Sequence, residues 1–274
     1  MQQLIPSLLS QHGIFLCAPI SLSHCRITRG YLLERAGITT GTAWMFAVPY
    51  YTTECDNPAR NISAYAVSGD YHRFFAGLFD EILPVLRKRF PTNTFVGFTD
   101  HSPLAEAEAA VNAGLGFWGC NHLFLTDRYS SYVFLGEIIT DAMVETPVHE
   151  PKICNACGAC QKACPVQLSV ERCLSALTQK KGELSKAEQE LLLQQGCAWG
   201  CDICQENCPV TQRAKTRGSI YTTIPYFQNT ALPHLTAKEI ATMSDDDFAA
   251  RAYSWRGRAV ILRNLDILEK GEST

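Results

Sequence analysis

The sequence lacks the features that mark membrane and exported proteins. Among its 274 residues no apolar stretch approaches the roughly 20 residues that a helix needs to cross a bilayer. Residues 1–9 contain no basic cluster followed by an apolar core, the pattern of a secretory signal peptide. The net charge of −3 gives no sign of a nucleic-acid-binding composition. These absences predict a globular, cytoplasmic protein with no membrane partner.

Cysteine, in contrast, is abundant and unevenly distributed. Nine of the 13 cysteines fall between Cys154 and Cys208. They form two motifs, Cys154-x2-Cys157-x2-Cys160-x3-Cys164-Pro165 and Cys201-x2-Cys204-x3-Cys208-Pro209. In bacterial ferredoxins this spacing lets three thiolates bind one 4Fe–4S cluster, while the cysteine before the proline binds the neighbouring cluster. The pattern therefore predicts two 4Fe–4S clusters.

Two other uses of cysteine fit this pattern less well. A structural zinc site needs only four ligands in two short pairs, whereas the first motif alone supplies four thiols within eleven residues and ends in the ferredoxin proline. A disulfide framework is typical of small secreted chains, and this chain is neither small nor predicted to be secreted. Iron–sulfur ligation is the better interpretation.

The ligand sets follow from exchange of the two proline-linked cysteines. The first cluster is assigned to Cys154, Cys157, Cys160 and Cys208, and the second to Cys164, Cys201 and Cys204. The second set needs a fourth ligand. Spacing alone leaves both Cys173 and Cys197 open for that position.

The pattern of apolar residues predicts an α+β fold. Residues 43–51, 94–98 and 131–138 are typical of strands, and residues 70–90 carry apolar side chains at helical spacing. Ser102-Pro103 is expected to begin a helix that ends at Gly114. Short helices are expected after Pro165 and from Ser185, the second with the capping box Ser185-x-x-Glu188. A mixed α/β domain over residues 1–149 would precede a ferredoxin-like domain over 150–220 and a helical segment over 221–274 that packs back on the core.

Five segments upstream of the cysteines carry a family resemblance. They are Pro49-Tyr50-Tyr51, Gly69-Asp70-Tyr71-His72, Thr99-Asp100-His101-Ser102-Pro103, residues 113–121 and residues 134–138. Together with the double cysteine motif and residues 200–205, they resemble the epoxyqueuosine reductase family. The resemblance extends from His12 to Leu265.

The resemblance implies a cobalamin-dependent reductase that makes queuosine in tRNA by reducing and dehydrating an epoxide. Its cofactors would be two 4Fe–4S clusters and cobalamin. Residues 1–149 would form an α/β domain that binds the corrinoid and the substrate. Residues 150–220 would form a bacterial ferredoxin-like domain that holds both clusters. The corrinoid would lie between these two domains. The expected partners are a tRNA anticodon loop and a low-potential electron donor such as a ferredoxin or a flavodoxin.

The resemblance also implies roles for individual residues. The family's proton donor falls on Asp100, whose pKa we expect to be raised in an apolar pocket covered by the cofactor. Cys173 becomes the fourth ligand of the second cluster, and Cys197 is left without a role. The implied corrinoid contacts are Asp70, Tyr71, His72, Asp100, Ser175, Lys181, Cys201 and Asp202. From the residues alone, a helix-capping role for Asp100 is as well supported as an acid role. His72 alone is better explained as a hydrogen-bonded structural histidine than as a ligand.

Some features differ from the family pattern. Cys120 stands where a lysine is usual, and Ala107 stands where an arginine is frequent. Longer members continue into a helical-repeat extension that helps to hold tRNA, so we expect a short form here. Binding of tRNA by this chain would then depend on basic side chains, namely Lys180, Lys181, Arg213, Lys215, Arg217, Arg256 and Arg258. Two other functions stay open: a related corrinoid iron–sulfur reductase with a small-molecule substrate, and a non-catalytic double-cluster electron-transfer protein.

Overall fold

The structure of the protein is a computed structural model that describes residues 1–147, 149–150 and 152–272. The strands of these residues are β1 (Leu16–Ser21), β2 (Thr42–Pro49), β3 (Phe95–Phe98), β4 (Phe117–Trp118), β5 (Phe124–Leu125) and β6 (Val133–Thr140). The first helices are α1 (Leu4–Gln11), α2 (Gly30–Arg35), α3 (Ala64–Val67), α4 (Tyr71–Arg89) and α5 (Glu106–Asn112). They are followed by α6 (Ala159–Ala163), α7 (Leu174–Thr178), α8 (Lys186–Gln195), α9 (Ile203–Glu206), α10 (Pro209–Thr216), α11 (Pro225–Asn229), α12 (Ala237–Thr242), α13 (Asp245–Ala249) and α14 (Arg258–Glu272).

The α+β class predicted from the sequence is confirmed. The strands β2, β3 and β6 and the long helix α4 lie at nearly the predicted positions. The capping box at the start of α8 is also present, because the Ser185 side chain accepts from the Glu188 N–H while the Glu188 side chain accepts from the Ser185 N–H. No helix of the described residues is both long and apolar enough to cross a membrane.

The chain forms two compact units, Met1–Pro49 with His72–Ala156, and Tyr50–Tyr71 with Cys157–Thr274. Residues 50–71 therefore pack with the cysteine-rich half, although they precede it by about a hundred positions in the sequence. The predicted functional boundaries at residues 149 and 220 stay a prediction. In the second unit, described residues reach to Glu272.

The first unit is built on an antiparallel sheet in the order β1-β2-β6-β3. All eight residues of β2 are buried, which explains why its sequence is continuously apolar after Thr42. Strand β2 pairs with β1 through Leu16 opposite Ala47, and with β6 through Thr42 opposite Thr140. Strand β3 pairs with the other edge of β6. The loop that follows β3 carries Asp100.

The helix α4 covers the sheet closely because glycine leaves room for its aromatic rings. A Cβ atom on Gly97 of β3 would lie 2.4 Å from the Phe79 ring, and one on Gly136 of β6 would lie 2.3 Å from the Phe75 ring. The Phe75 ring stacks on Phe46 of β2 with centroids 5.9 Å apart. Because α4 is fixed in this way, its first turn, which carries His72, is held against a rigid support.

The second unit is joined by backbone hydrogen bonds between distant segments. The Ser63 N–H donates to Trp199 O at 2.7 Å, and the Ala198 N–H donates to Asn61 O at 2.7 Å. From α14, the Asn264 side-chain amide donates to Thr178 O and to Ala198 O at 2.7 and 2.8 Å. The C-terminal helices thus pack on the cysteine-rich segment through buried polar contacts as well as apolar ones.

One predicted helix start is wrong, and the short helix expected after Pro165 is α7, which begins only at Leu174. Residues 165–168 form a turn, with Gln167 and Leu168 in the left-handed region, and the neighbouring helix α6 ends before Cys164. Helix α5 begins at Glu106 rather than at Pro103, because the Ser102 hydroxyl accepts from the Leu104 N–H and donates to the Glu137 carboxyl. A side chain engaged in this way does not cap α5.

Candidate functional site

The loop after β3 presents Asp100 to solvent. The Thr99 hydroxyl donates to Leu135 O at 2.8 Å and anchors the start of this loop. Asp100 itself adopts a left-handed conformation with φ 61°, which is uncommon for a residue other than glycine. Its side chain is 67% exposed, and its Oδ2 atom lies 3.5 Å from Nε2 of His72. The structure therefore brings together two of the predicted site residues.

This geometry decides against the capping interpretation of Asp100. The residue before α5 is Ala105, and no side chain caps the helix start. The expected apolar pocket around Asp100 is likewise not formed by the protein alone, since its side chain is mostly exposed.

Behind Asp100 lie two glutamates to which the sequence analysis gave no role. Glu137, in the middle of β6, is fully buried, and its carboxyl accepts from the Ser102 hydroxyl. Burial raises its pKa well above the usual value, and the neighbouring Glu106 raises it further. Burial also raises the pKa of Glu106 to about 7. A glutamate inside an otherwise apolar strand was the signal in the sequence, because glutamate is rarely buried without a partner.

Four cysteines of the second unit, Cys160, Cys173, Cys204 and Cys208, lie at or next to the starts of short helices. Helices α6 and α9, which carry Cys160 and Cys204, pack against each other. Cys173 and Cys208 occupy the positions just before α7 and α10. Burial raises the pKa of the Cys201 thiol to about 12, and Asp202, Cys204 and Cys173 raise it further by electrostatic interaction. Cys173, Cys201 and Cys204 are therefore close enough to interact, as the predicted second ligand set requires.

Cys197 has a different environment. Its thiol donates to Trp199 O at 3.3 Å, and burial raises its pKa to about 12. Both observations describe a protonated thiol that is used in local packing. The pKa of the predicted ligand Cys201 is also raised to about 12, and Cys201 acts electrostatically on Cys197 as well. These observations do not choose between Cys173 and Cys197, and the fourth ligand stays a prediction.

Cys154 has a sulfur neighbour that the sequence analysis treated only as a departure from the family. The exposed Cys120 thiol donates to the Cys154 sulfur at 3.8 Å. The pKa of Cys154 is lowered, first by the backbone N–H of Ala156 and then by contacts with Cys120. Among the described residues no three histidine, cysteine or acidic side chains are placed to hold a single metal ion. The thiolates of a 4Fe–4S cluster each bind a different iron and need not converge on one point.

Asp202 was predicted as a corrinoid contact, but its side chain is already used inside the second unit. The carboxylate is 4% exposed and lies 2.7 Å from the Arg60 guanidinium. It also accepts from the Ser63 hydroxyl at 2.5 Å and from the Ala64 N–H at 2.7 Å. Asp202 therefore attaches residues 60–64 to the Cys201–Cys204 loop. Any corrinoid contact of this turn is expected from its backbone.

This ion pair gives a stability prediction. Arg60→Met should lower the free energy of unfolding by about 3–5 kcal/mol, because it leaves a buried carboxylate without its cation. Chemical denaturation of the iron-free chain would measure the change. Arg26→Met is the matched control, since the pair that Arg26 forms with Glu108 is exposed and should contribute about 1 kcal/mol or less. Equal effects of the two substitutions would contradict the structural role assigned to Asp202.

The remaining predicted corrinoid contacts are distributed over the second unit. The Asp70 backbone is fixed by its N–H, which donates to Ala250 O at 2.8 Å, and by its carbonyl, which accepts from the Tyr226 hydroxyl at 2.7 Å. Ser175 lies in α7 and accepts from the Gln179 side chain. Lys181 is exposed and lines a cavity of about 680 Å³ together with Cys173. Tyr71 is the first residue of α4.

The structure divides the predicted basic residues into two groups. Three cations form ion pairs: Lys180 with Glu188, Lys215 with Asp56, and Arg258 with Asp245. The guanidinium of Arg256 stacks over Trp255 at 3.9 Å from the ring centre. Lys181, Arg213 and Arg217 are exposed. These three are the better candidates for contacts with phosphate, because a cation already paired with a carboxylate gains less from a second anion.

Fold and site together define an α+β protein with a ferredoxin-type double cysteine motif and an exposed carboxylate loop beside the sheet. No protein-family model matches the chain. It is 32% identical over 229 residues to the epoxyqueuosine reductase of Synechocystis, covering 78% of each chain. It is also 32% identical over 210 residues to the epoxyqueuosine reductase of Gloeobacter violaceus, covering 72% of this chain and 65% of that one.

A solved structure has the same fold. It is a crystal structure of epoxyqueuosine reductase with an epoxyqueuosine-modified tRNA-Tyr stem loop, and it matches with a TM-score of 0.78 at 24% identity over 97% of this chain and 80% of that chain. The protein belongs to the epoxyqueuosine reductase family. The chain spans 65% and 57% of the lengths of the first two curated relatives it matches.

Proposed function

We propose that the protein is an oxidoreductase that reduces epoxyqueuosine to queuosine in tRNA with the help of cobalamin and two 4Fe–4S clusters. The observation that carries this proposal is the 32% identity to an epoxyqueuosine reductase over 78% of both chains. A tRNA substrate would place the protein in the cytoplasm. The electrons would come from a low-potential donor such as a ferredoxin or a flavodoxin.

The donor set of the chain fits these cofactors. The first cluster would be held by Cys154, Cys157, Cys160 and Cys208, and the second by Cys164, Cys173, Cys201 and Cys204. Cys173 and Cys204 both act electrostatically on Cys201, which supports the second set. Cobalamin would contact residues 70–72, Ser175, Lys181 and the Cys201-Asp202 turn. When bound, the clusters supply single electrons at low potential, and the reduced corrinoid supplies a nucleophilic electron donor for the epoxide.

Asp100 would supply a proton to the epoxide oxygen. Converting the epoxide to the alkene consumes two electrons and two protons and releases the oxygen as water, so an acid must face the substrate. Asp100 is exposed, as contact with a substrate requires, and its carboxyl lies 3.5 Å from His72. His72 would orient that carboxyl. A cofactor and a base that cover this exposed loop would exclude water from the site of proton transfer.

Substrate recognition would rest on the modified base together with a small number of phosphate contacts. A stem loop bound to a relative with the same fold supports a tRNA anticodon loop as the ligand. Single-stranded loops are recognised through bases that leave the stack, and backbone contacts add a salt-dependent contribution. Lys181, Arg213 and Arg217 are the exposed cations proposed for these contacts.

The test is anaerobic turnover of an epoxyqueuosine-modified anticodon stem-loop with reductant and cobalamin. We expect conversion to queuosine, with binding that weakens as salt increases. Replacing Lys181, Arg213 or Arg217 with alanine should each reduce the slope of log affinity against log salt by roughly 1 at most. Lys88→Ala is the control, because Lys88 is an equally exposed lysine outside the proposed set. Inactivity of a preparation with both clusters and bound cobalamin would favour a related reductase with a different electrophile.

A further inference from the structure

A pair of carboxyl groups lies beneath the Asp100 loop. Glu137 is 0% exposed in the centre of the sheet, and Glu106 is half-buried in the first turn of α5. One oxygen of Glu137 accepts from the Ser102 hydroxyl. Its other oxygen accepts from no donor among the described residues, and the neighbouring carboxyl within interaction distance is that of Glu106.

Two carboxylates cannot form this contact, because each would offer only acceptors. A proton must therefore lie between them, as expected where two carboxyl groups share a buried site. Glu137 is the more deeply buried member, so it is the group that holds the proton, and Glu106 is the group that can carry the negative charge.

The surrounding groups do not neutralise the pair. Arg29 is the cation that favours the charged form of Glu106, whereas Asp100 and Glu137 oppose it. The Arg29 guanidinium itself donates to Ser102 O at 3.1 Å. Near Glu137 the further titratable groups are Cys25, whose own pKa is raised first by burial and then by Glu137, and Glu108, which also acts on Cys25.

Glu106 connects this pair to the candidate catalytic loop. Its Oε1 atom accepts from the backbone N–H of Asp100 at 3.0 Å. Asp100 is held at φ 61°, a conformation that a side-chain-bearing residue keeps only when its surroundings fix it. A hydrogen bond to an ionised carboxylate is about twice as strong as one to a neutral acceptor. The charge on Glu106 thus governs how firmly the loop is held.

We propose that the Glu106–Glu137 pair positions the proton donor: Glu137 keeps the shared proton, and the Glu106 carboxylate fixes the backbone of Asp100. Glu106 is a positioning residue, since it touches Asp100 through the main chain. The catalytic consequence rests on the proposed function, whereas the effect on the loop does not. As the pH falls through about 7, Glu106 becomes protonated and the hold on Asp100 weakens. Above that pH the carboxylate form is present and the loop is fixed.

The first test measures backbone hydrogen exchange in the peptide that spans residues 98–102, corrected for intrinsic exchange at each pH. In the unsubstituted holoenzyme we expect the protection of the Asp100 amide to fall as the pH is lowered through about 7. Glu106→Gln should lower protection by about threefold to tenfold at higher pH, because a neutral amide oxygen replaces the charged acceptor, and should abolish the pH dependence. A pH-independent protection in the unsubstituted protein would overturn the proposal, and this measurement needs no variant to fold.

Two further variants sharpen the test. Glu137→Gln places a permanent donor beside Glu106, so it should keep protection high and move its loss to lower pH. Glu108→Gln, on the same helix but in an exposed pair with Arg26, should change neither quantity. An unchanged pH midpoint in Glu137→Gln would contradict the sharing of a proton.

Turnover then separates this proposal from the proposed function. If Asp100 is the acid, kcat of Glu106→Gln should fall with little change in KM, and the acid limb of its pH profile should disappear. Loss of loop protection with unchanged turnover would support the positioning role of the pair and overturn the catalytic role of Asp100.

Discussion

Asp100→Asn is expected to lower turnover of epoxyqueuosine by on the order of 10²-fold or more while leaving the fold intact, because the substitution removes the proton and little else. The side chain is mostly exposed, so no packing is lost. Asparagine also tolerates the left-handed conformation that Asp100 adopts, and it keeps an oxygen toward His72.

The measurement is anaerobic turnover of the modified stem-loop under saturating reductant. Asp80→Asn is the control for a generic loss of negative charge, since Asp80 is an exposed aspartate on α4 of the same unit. Circular dichroism and iron content should match the unsubstituted protein in both variants.

His72 offers the sharpest rival interpretation. Its Nε2 atom lies 3.5 Å from the Asp100 carboxyl, so either group could deliver the proton. If Asp100 is the acid and His72 orients it, His72→Gln should cost less than Asp100→Asn. The reverse order would assign the proton to His72, and unchanged turnover in Asp100→Asn would leave Asp100 a structural residue of the loop.

Local signals in the sequence predicted the elements well. A continuous apolar run predicted β2 because both faces of this central strand are buried. The capping box predicted the start of α8 because its two hydrogen bonds involve only residues 185–188. The cysteine spacing likewise indicated a ligand chemistry that depends on a short loop.

Contacts between residues that are far apart in the sequence could not be predicted from such local signals. Ser102 looked like a helix cap because its partner Glu137 is 35 positions away. Residues 50–71 were grouped with the chain around them, since nothing in their sequence shows that Ser63 pairs with Trp199. The Glu106–Glu137 pair was missed for the same reason. The position of Glu137 in an apolar strand is unusual, but nothing in the sequence shows that its neighbour is Glu106, and only the fold brings the two together.

Cys173→Ser is expected to lose one cluster, lowering the iron content from about eight to about four per chain. Cys173 is within electrostatic reach of Cys201, one of the three motif cysteines assigned to the same cluster, and a serine hydroxyl is a much weaker iron ligand than a thiolate. Iron and sulfide analysis of anaerobically purified protein would measure the loss.

Cys197→Ser is the matched control, with the same substitution in the same unit. The Cys197 thiol donates to Trp199 O, and a serine hydroxyl can make that hydrogen bond. Both clusters should therefore be retained. If Cys173→Ser kept its full iron content and Cys197→Ser lost one cluster, Cys197 rather than Cys173 would be the fourth ligand of the second cluster.

The identity of the cluster that is lost tests the crossed ligand sets as well as the single ligand. If each cluster takes its proline-linked cysteine from the other motif, Cys164→Ser should affect the same cluster as Cys173→Ser, and Cys208→Ser should affect the other. The two clusters can be told apart by the electron paramagnetic resonance signal that remains after reduction. Matching residual signals from Cys164→Ser and Cys173→Ser would support the crossed arrangement. A residual signal shared by Cys164→Ser and Cys154→Ser would instead show that each motif completes its own cluster.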